Sequence, residues 1–327
     1  SVREHLVADV PVGFCLSGGV DSSAIVGLAR EFRDSSQPMA AFTAAYDNSP
    51  FDEREYVEEV VRSKNIDWHV VIPQPGKMYE DLDRLIYFQD EPPVHSSVYA
   101  QWCVMRLAKE RGVTVLLDGQ GADELFAGYP AYRDVLAADL LMSGRLADMV
   151  QIGNPIRAVY ALSPAALKAA LFRLRSLPWK SLRADVRRLV DSASLENTFQ
   201  SFQYSDLKTR MTKDTFELHL PKLLHYEDRN SMAFSIESRV PFLDHRLAES
   251  AMGMPIEWRL SARGSKWILR EALREYLPPR IADRRDKIGF ETPQMEWMSE
   301  LVRLHPELLF DGWAAKQFAA AAVVEKL

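Results

Sequence analysis

Cysteine is scarce: the 327 residues hold two, Cys15 and Cys103. Both stand among apolar neighbours (Gly13-Phe14-Cys15-Leu16 and Gln101-Trp102-Cys103-Val104), where a free thiol behaves as a small hydrophobe. A disulfide framework is excluded as the basis of the fold, and a reduced, cytoplasmic setting is expected. No apolar run approaches the roughly 20 residues of a membrane helix, and Ser1-Val2-Arg3-Glu4-His5 has no signal-peptide apolar region, so no membrane partner is expected. Excess positive charge is missing too. The formal net charge is −6, so the overall balance asks for neither nucleic acid nor an acidic membrane, although a small polyanion could bind locally. There is no initiator Met, no internal repeat and no low-complexity tract. The missing Met, with an apolar run already at Val10, is what a piece of a longer polypeptide would show.

What is present is ordinary globular material, 47% hydrophobic and 26% charged, enough for a large core and about two domains' worth of chain. Up to about residue 135, short β-rich runs (Val10 to Leu16, Met39 to Tyr46, Asp67 to Ile72, Val113 to Leu117) alternate with helical spacings (Val57, Val60, Val61; Val98, Trp102, Met105). This alternation predicts an α/β fold, a doubly wound parallel sheet with helices on both faces, followed by a mostly helical C-terminal part. The expected division is an α/β core over 1–135, a helical insertion over 136–215 and a helical part over 216–327 that completes the site. The insertion is locally basic (Arg173, Arg175, Lys180, Arg183, Arg187, Arg188). Such a run is a solvated helical face or a docking surface for another domain.

Chemistry concentrates in two loops. Ser17-Gly18-Gly19-Val20-Asp21-Ser22-Ser23 follows the first strand and precedes a helix expected to begin at Ala24. A strand–loop–helix turn aims backbone N–H groups and the positive end of a helix dipole at one spot, which suits an anion. The motif lacks the lysine of a Walker loop and is not the dinucleotide fingerprint, and an ordinary Ser/Gly-rich turn reads similarly. Asp21 favours the phosphate reading with a Mg²⁺ ion between carboxylate and ligand, although Asp is also a good helix N-cap. The second loop, Asp118-Gly119-Gln120-Gly121-Ala122-Asp123-Glu124, follows the fourth strand. Asp123 and Glu124 suit a first helical turn, but with Asp21 a two-carboxylate metal site is the better expectation.

The first loop resembles the pyrophosphate loop of the N-type ATP pyrophosphatases. Three further stretches, Tyr226-Glu227-Asp228-Arg229-Asn230-Ser231-Met232, Glu237-Ser238-Arg239-Val240-Pro241-Phe242-Leu243-Asp244 and Arg285-Asp286-Lys287-Ile288-Gly289-Phe290, resemble the synthetase domain of the glutamine-hydrolysing asparagine synthetases, with β-lactam synthetase as a cousin. On that resemblance Leu16, Ser17 and Ala44 contact the nucleoside. Gly18, Gly19, Asp21, Ser22 and Ser23 hold pyrophosphate, Asp21 and Asp123 the Mg²⁺, and Asp118 and Gly119 the adenylate side. Lys287 neutralises developing charge, and Arg239 joins Gln120 and Glu124 as a catalytic candidate. Read without the family, Arg239 and Asp244 form a buried pair at a proline turn and Lys287 is a surface lysine.

The resemblance implies an ATP- and Mg²⁺-dependent ligase. It amidates a carboxylate, first of all aspartate, through an acyl adenylate attacked by ammonia, releasing AMP and pyrophosphate. The family carries Glu where Gln120 stands, and Gln cannot take up a proton. Another carboxylate, with Glu124 as stand-in, or another acceptor such as a sugar acid or peptide carboxyl is then implied. The N-terminal glutaminase half of the family is missing from this chain, and a homodimer is the assembly to test. A non-catalytic nucleotide-binding domain is the competing reading, disfavoured by retention of Asp21, Asp123 and Lys287 together.

Overall fold

The computed structural model describes residues 1–34, 36–93, 95–153, 155–162, 205–286 and 289–305. The chain divides into two compact units, one of residues 1–130 and 208–297, the other of 131–207 and 298–327.

The first unit is built on a five-stranded sheet of β1 (Val12–Cys15), β2 (Met39–Ala44), β3 (Ile66–Val71), β4 (Val115–Leu117) and β5 (Glu237–Arg239), in the order β3-β2-β1-β4-β5. Every pairing is parallel, with Phe14 in register with Ala41 on one side and Leu117 on the other. Successive side chains on a strand point to opposite faces, and the cores follow that period. Val12, Phe14, Met39, Ala41, Val115 and Leu117 pack with Ala24, Ile25 and Val26 of helix Val20–Glu31 and with Val57 and Val60 of helix Arg54–Lys64. Phe42 and Leu116 turn the other way, against Val104, Met105 and Ala108 of helix Ser97–Glu110. Burial on both faces explains why the central strands read as apolar runs rather than alternations. The α/β expectation is borne out.

Three local expectations need correction. The helix that follows the first loop begins at Val20, four residues before Ala24, with Gly19 at its N-cap and no side-chain cap. Asp21 is therefore in the first turn and is not the cap. The mostly helical C-terminal stretch contains strand β5, which completes the sheet beside β4 with Glu237, Ser238 and Arg239 opposite Val115, Leu116 and Leu117. Three residues closed by Pro241 carry too little periodicity to announce an edge strand, and tertiary pairing decides the matter. Finally, Arg239 and Asp244 are not a pair: Arg239 bonds Glu237 and the carbonyls of His5 (2.7 Å) and Val7 (2.9 Å), whereas Asp244 caps helix His245–Gly253 and pairs with Arg246.

The second unit shows, among the described residues, a small helical core of Ala137, Ala138, Leu140, Met149 and Ala158. The basic residues of the insertion lie outside the described residues. No helix among the described residues is long and apolar enough to cross a membrane.

Candidate active site

Strand order reverses between β1 and β4, and in an open parallel sheet the crevice beyond the carboxyl ends at that switch point receives ligands. The loops leaving β1 and β4 meet there: a Cβ placed on Gly119 would lie 3.1 Å from Asp21 Cβ and 3.3 Å from the Ser22 amide nitrogen. A cavity of about 390 Å³ opens over them, large enough for a nucleotide-sized ligand.

The first loop is tied by its own hydroxyls. Ser22 Oγ accepts from the Ser17 amide at 3.2 Å and lies 3.2 Å from Ser17 Oγ, while Ser23 N–H bonds the Gly19 carbonyl at 3.1 Å as the helix starts. The strand end is held by Thr43, whose hydroxyl donates to the Leu16 carbonyl at 2.6 Å and accepts from Trp68 Nε1 at 2.9 Å. Leu16, Ser17, Gly19, Asp21, Ser22 and Ala44 line the cavity. Asp118, Gly119, Gln120 and Asp123 line it from the second loop. Gly18 and Ser23 belong to the loop without lining the cavity; Ser23 is 1% exposed.

Between the two loops stands Lys266, a residue sequence reasoning missed. Its ammonium bonds Asp21 and lies 2.7 Å from Asp123 Oδ1, and its side chain is 4% exposed. Burial opposes the ammonium, but the charges of Asp123 and Asp21 outweigh it and hold the Lys266 pKa above its ordinary value. Its backbone is left-handed (φ 54°), at the N-cap of helix Trp267–Ala272, and donates to the Phe126 carbonyl at 3.1 Å. Gly128 makes room for this cluster, because a Cβ there would sit 1.7 Å from Asp123 Oδ1 and 2.2 Å from Lys266 Cε. In sequence Lys266 is one lysine among many, and only the fold brings it to Asp21, 245 positions away.

Two carboxylates and a buried Asp21 Oδ1 without a hydrogen-bond partner suit a divalent cation that completes its shell with phosphate oxygens and water. Among the described residues no group of three or more His, Cys, Asp or Glu forms a cage able to hold a metal without such help.

Other predicted residues lie elsewhere. Glu124 is 1% exposed, does not line the cavity, and accepts from Tyr129 Oη at 2.7 Å with His219 Nδ1 at 3.6 Å. Hydrogen bonding to Glu124 raises the His219 pKa. Arg239 is on β5 and is absent from the cavity wall. Lys287 lies outside the described residues. Its neighbour Arg284, also missed, is 3% exposed in its side chain, donates to the Gly18 carbonyl at 3.1 Å, pairs with Glu53 at 2.6 Å and stacks 3.7 Å from the Tyr56 ring centroid. It thereby ties down the first loop and also lines the cavity.

Beneath the second loop, burial raises the Asp118 carboxyl, with the Asp21 charge adding to the effect. Glu227, 3% exposed, is pushed up to about 8 by burial and then by the charge of Asp118.

A parallel α/β sheet carrying two acid-bearing glycine loops at its switch point defines the general class, a nucleotide-binding fold. Over residues 1–327 the sequence matches the family model described as asparagine synthase, and the chain belongs to that family. Relatives include "Asparagine synthetase [glutamine-hydrolyzing] 1" of Bacillus subtilis, 29% identical over 93% of this chain and 50% of the relative. A "Putative asparagine synthetase [glutamine-hydrolyzing]" of Mycobacterium tuberculosis is 28% identical over 91% of this chain and 47% of its own length. "Amidase chyE" of Penicillium rubens is 24% identical over 91% and 51%. The chain thus spans about half the length of these curated relatives.

Proposed function

We propose that this chain carries out the ATP-dependent amidation of a carboxylate, with AMP and pyrophosphate as products and ammonia as the nitrogen nucleophile. The observation that carries the reading is the Asp21–Lys266–Asp123 cluster set between two glycine loops at the sheet's switch point. In this reading the Ser17, Ser22 and backbone N–H groups of the first loop bind the β- and γ-phosphates at the N-terminus of helix Val20–Glu31. Lys266 supplies fixed positive charge beside the departing pyrophosphate, where a preorganised cation in a dry site contributes most. Asp21 and Asp123 would hold Mg²⁺, which supplies further neutralisation of phosphate charge. The acceptor's carboxylate oxygen forms a bond to the α-phosphorus as the bond to the bridging oxygen breaks. Ammonia then displaces AMP from the acyl carbon and loses a proton. Lys287 is proposed as a second cation on the adenylate side, from the family resemblance.

Aspartate is the first candidate acceptor, since two of the relatives above are named asparagine synthetases. Gln120 and the relatives named amidases favour including other carboxylates. Because those asparagine synthetases are named as glutamine-hydrolysing and are about twice as long, ammonia is proposed to come from a glutaminase portion outside this chain. A cytoplasmic setting is proposed with it. The test is pyrophosphate release with ATP, Mg²⁺ and ammonium against aspartate, glutamate, a sugar acid and a peptide carboxylate. Release that depends on one acceptor supports the reading and identifies the acceptor; release with none contradicts it.

A further inference from the structure

Glu124 is buried in the interior, but its two partners reach the cavity. Its Oε1 accepts from Tyr129 Oη at 2.7 Å and lies 3.6 Å from His219 Nδ1, and both Tyr129 and His219 line the cavity. The two rings meet edge to face, with 5.0 Å between centroids. The Glu124 side chain is 1% exposed and that of His219 is 52% exposed, so a buried carboxylate anchors a ring that is itself half open. His219 is also the one histidine among the described residues of the cavity wall.

The backbone arrives at His219 through a π-helical turn, Asp214–Leu218, and the His219 amide bonds the Asp214 carbonyl five residues back at 3.1 Å. Single π turns are rare and recur at functional sites. On the ring, a carboxylate beside Nδ1 keeps the proton of the neutral imidazole on that nitrogen and leaves Nε2 with a lone pair. Such a histidine is a proton acceptor held in one orientation. The contact with Glu124 does most to raise its pKa, and the Asp214 charge adds to the effect. Burial works the other way, as does Arg210, which is itself paired with Asp214 at 2.8 Å. The balance makes this imidazole a stronger base than an ordinary histidine.

We infer that His219 Nε2 takes the proton that ammonia sheds as it attacks the acyl adenylate, with Glu124 as the positioning residue behind it. This inference rests on the amidation reading above. The lone pair of ammonia forms the C–N bond, and the nitrogen of the adduct then carries three hydrogens and a positive charge. Nε2 takes one of those protons, the bond from carbon to the bridging phosphate oxygen breaks, and AMP leaves with that electron pair. The half-exposed imidazolium returns its proton to water. His219 thus supplies the base that Gln120 cannot be, and Glu124 acts through it from off the cavity wall.

The experiment compares wild type, His219→Gln and Glu124→Gln, with ATP, Mg²⁺ and ammonium, and with aspartate, glutamate, a sugar acid and a peptide carboxylate as acceptors. The kcat/KM for free ammonia, followed against pH, reads the amidation step, and carboxylate-dependent ATP–pyrophosphate exchange reads the adenylation half alone. Since a general base typically contributes about 10²–10⁴-fold, His219→Gln should lower kcat/KM for ammonia by about 100-fold or more, with exchange largely kept. In the wild type that kcat/KM should rise with pH through an acid limb lying above the ordinary histidine value of 6.5. The limb should vanish in His219→Gln and move to lower pH in Glu124→Gln, where the charge that raises it is gone. His219 is half exposed, so its replacement keeps the test available if Glu124→Gln fails to fold. An acid limb that persists in His219→Gln, or exchange and amide formation falling in parallel, would overturn the inference while leaving adenylation standing. Absence of exchange in the wild type with every acceptor would instead overturn the amidation reading, and this inference with it.

Discussion

Lys266→Met removes the only positive charge that the described structure places between Asp21 and Asp123. The two carboxylates are 17% and 16% exposed, so solvent screens them little once the ammonium is gone. Removing one partner from a buried ionic cluster costs about 3–5 kcal/mol, because the charges left behind are uncompensated. For a unit of this size that corresponds to a Tm lowered by roughly 6–20 °C. The same vacancy should suit a divalent cation, and Mg²⁺ at about 100 times its Kd would return about 2.7 kcal/mol. The assay is thermal unfolding of wild type and variant with EDTA and with a Mg²⁺ titration. The variant should melt lower in EDTA and gain more from Mg²⁺ than the wild type does. A Tm unchanged in EDTA, or a loss that Mg²⁺ leaves untouched, would refute the view that these carboxylates form one charge cluster built for cations.

Gly128→Ala should reproduce part of this defect without changing any charge, since the added methyl occupies the space of Asp123 Oδ1; weakened Mg·ATP binding, read by fluorescent-nucleotide displacement, checks it. Asp21→Asn should keep the fold, because Gly19 and not Asp21 occupies the N-cap, while raising the Mg²⁺ concentration needed for pyrophosphate release by about tenfold or more. Glu227 gives a stability signature with a definite sign. Its folded pKa of about 8 lies above the ordinary 4.5, so the folded state holds the extra proton between those values and wild-type stability falls as pH rises from about 4.5 to about 8. Glu227→Gln should show a flatter profile over that window in urea unfolding.

The sheet was legible because the central strands β1, β2 and β4 are largely buried and advertise themselves as apolar runs bounded by turns. Strand β5 was not, since three residues with two charged side chains join the sheet only through pairing with β4. The loops could be read for the same local reason: Ser-Gly-Gly-Val-Asp-Ser-Ser carries its donors and its acid within one turn. Lys266 could not, because its meaning comes from a left-handed backbone and two carboxylates far away in sequence. Glu227 sat in a stretch that sequence singled out, yet its bonds to Gln101 and Ser238 come from residues of other elements that only the fold brings to it. Glu124 looked like an available acid next to Asp123. The turn of helix Ala122–Phe126 places neighbouring residues on different sides, Asp123 at the cavity and Glu124 in the interior with Tyr129.

The central claim is cleavage of ATP between its α- and β-phosphates, and the direct measurement is product stoichiometry. With the accepting carboxylate, ammonium and Mg²⁺, phosphorus NMR of the reaction should show one AMP and one pyrophosphate for each amide formed. ADP and inorganic phosphate in that ratio instead would contradict the account, because they would place the break at the γ-phosphate and leave the two loops and Lys266 without their assigned work.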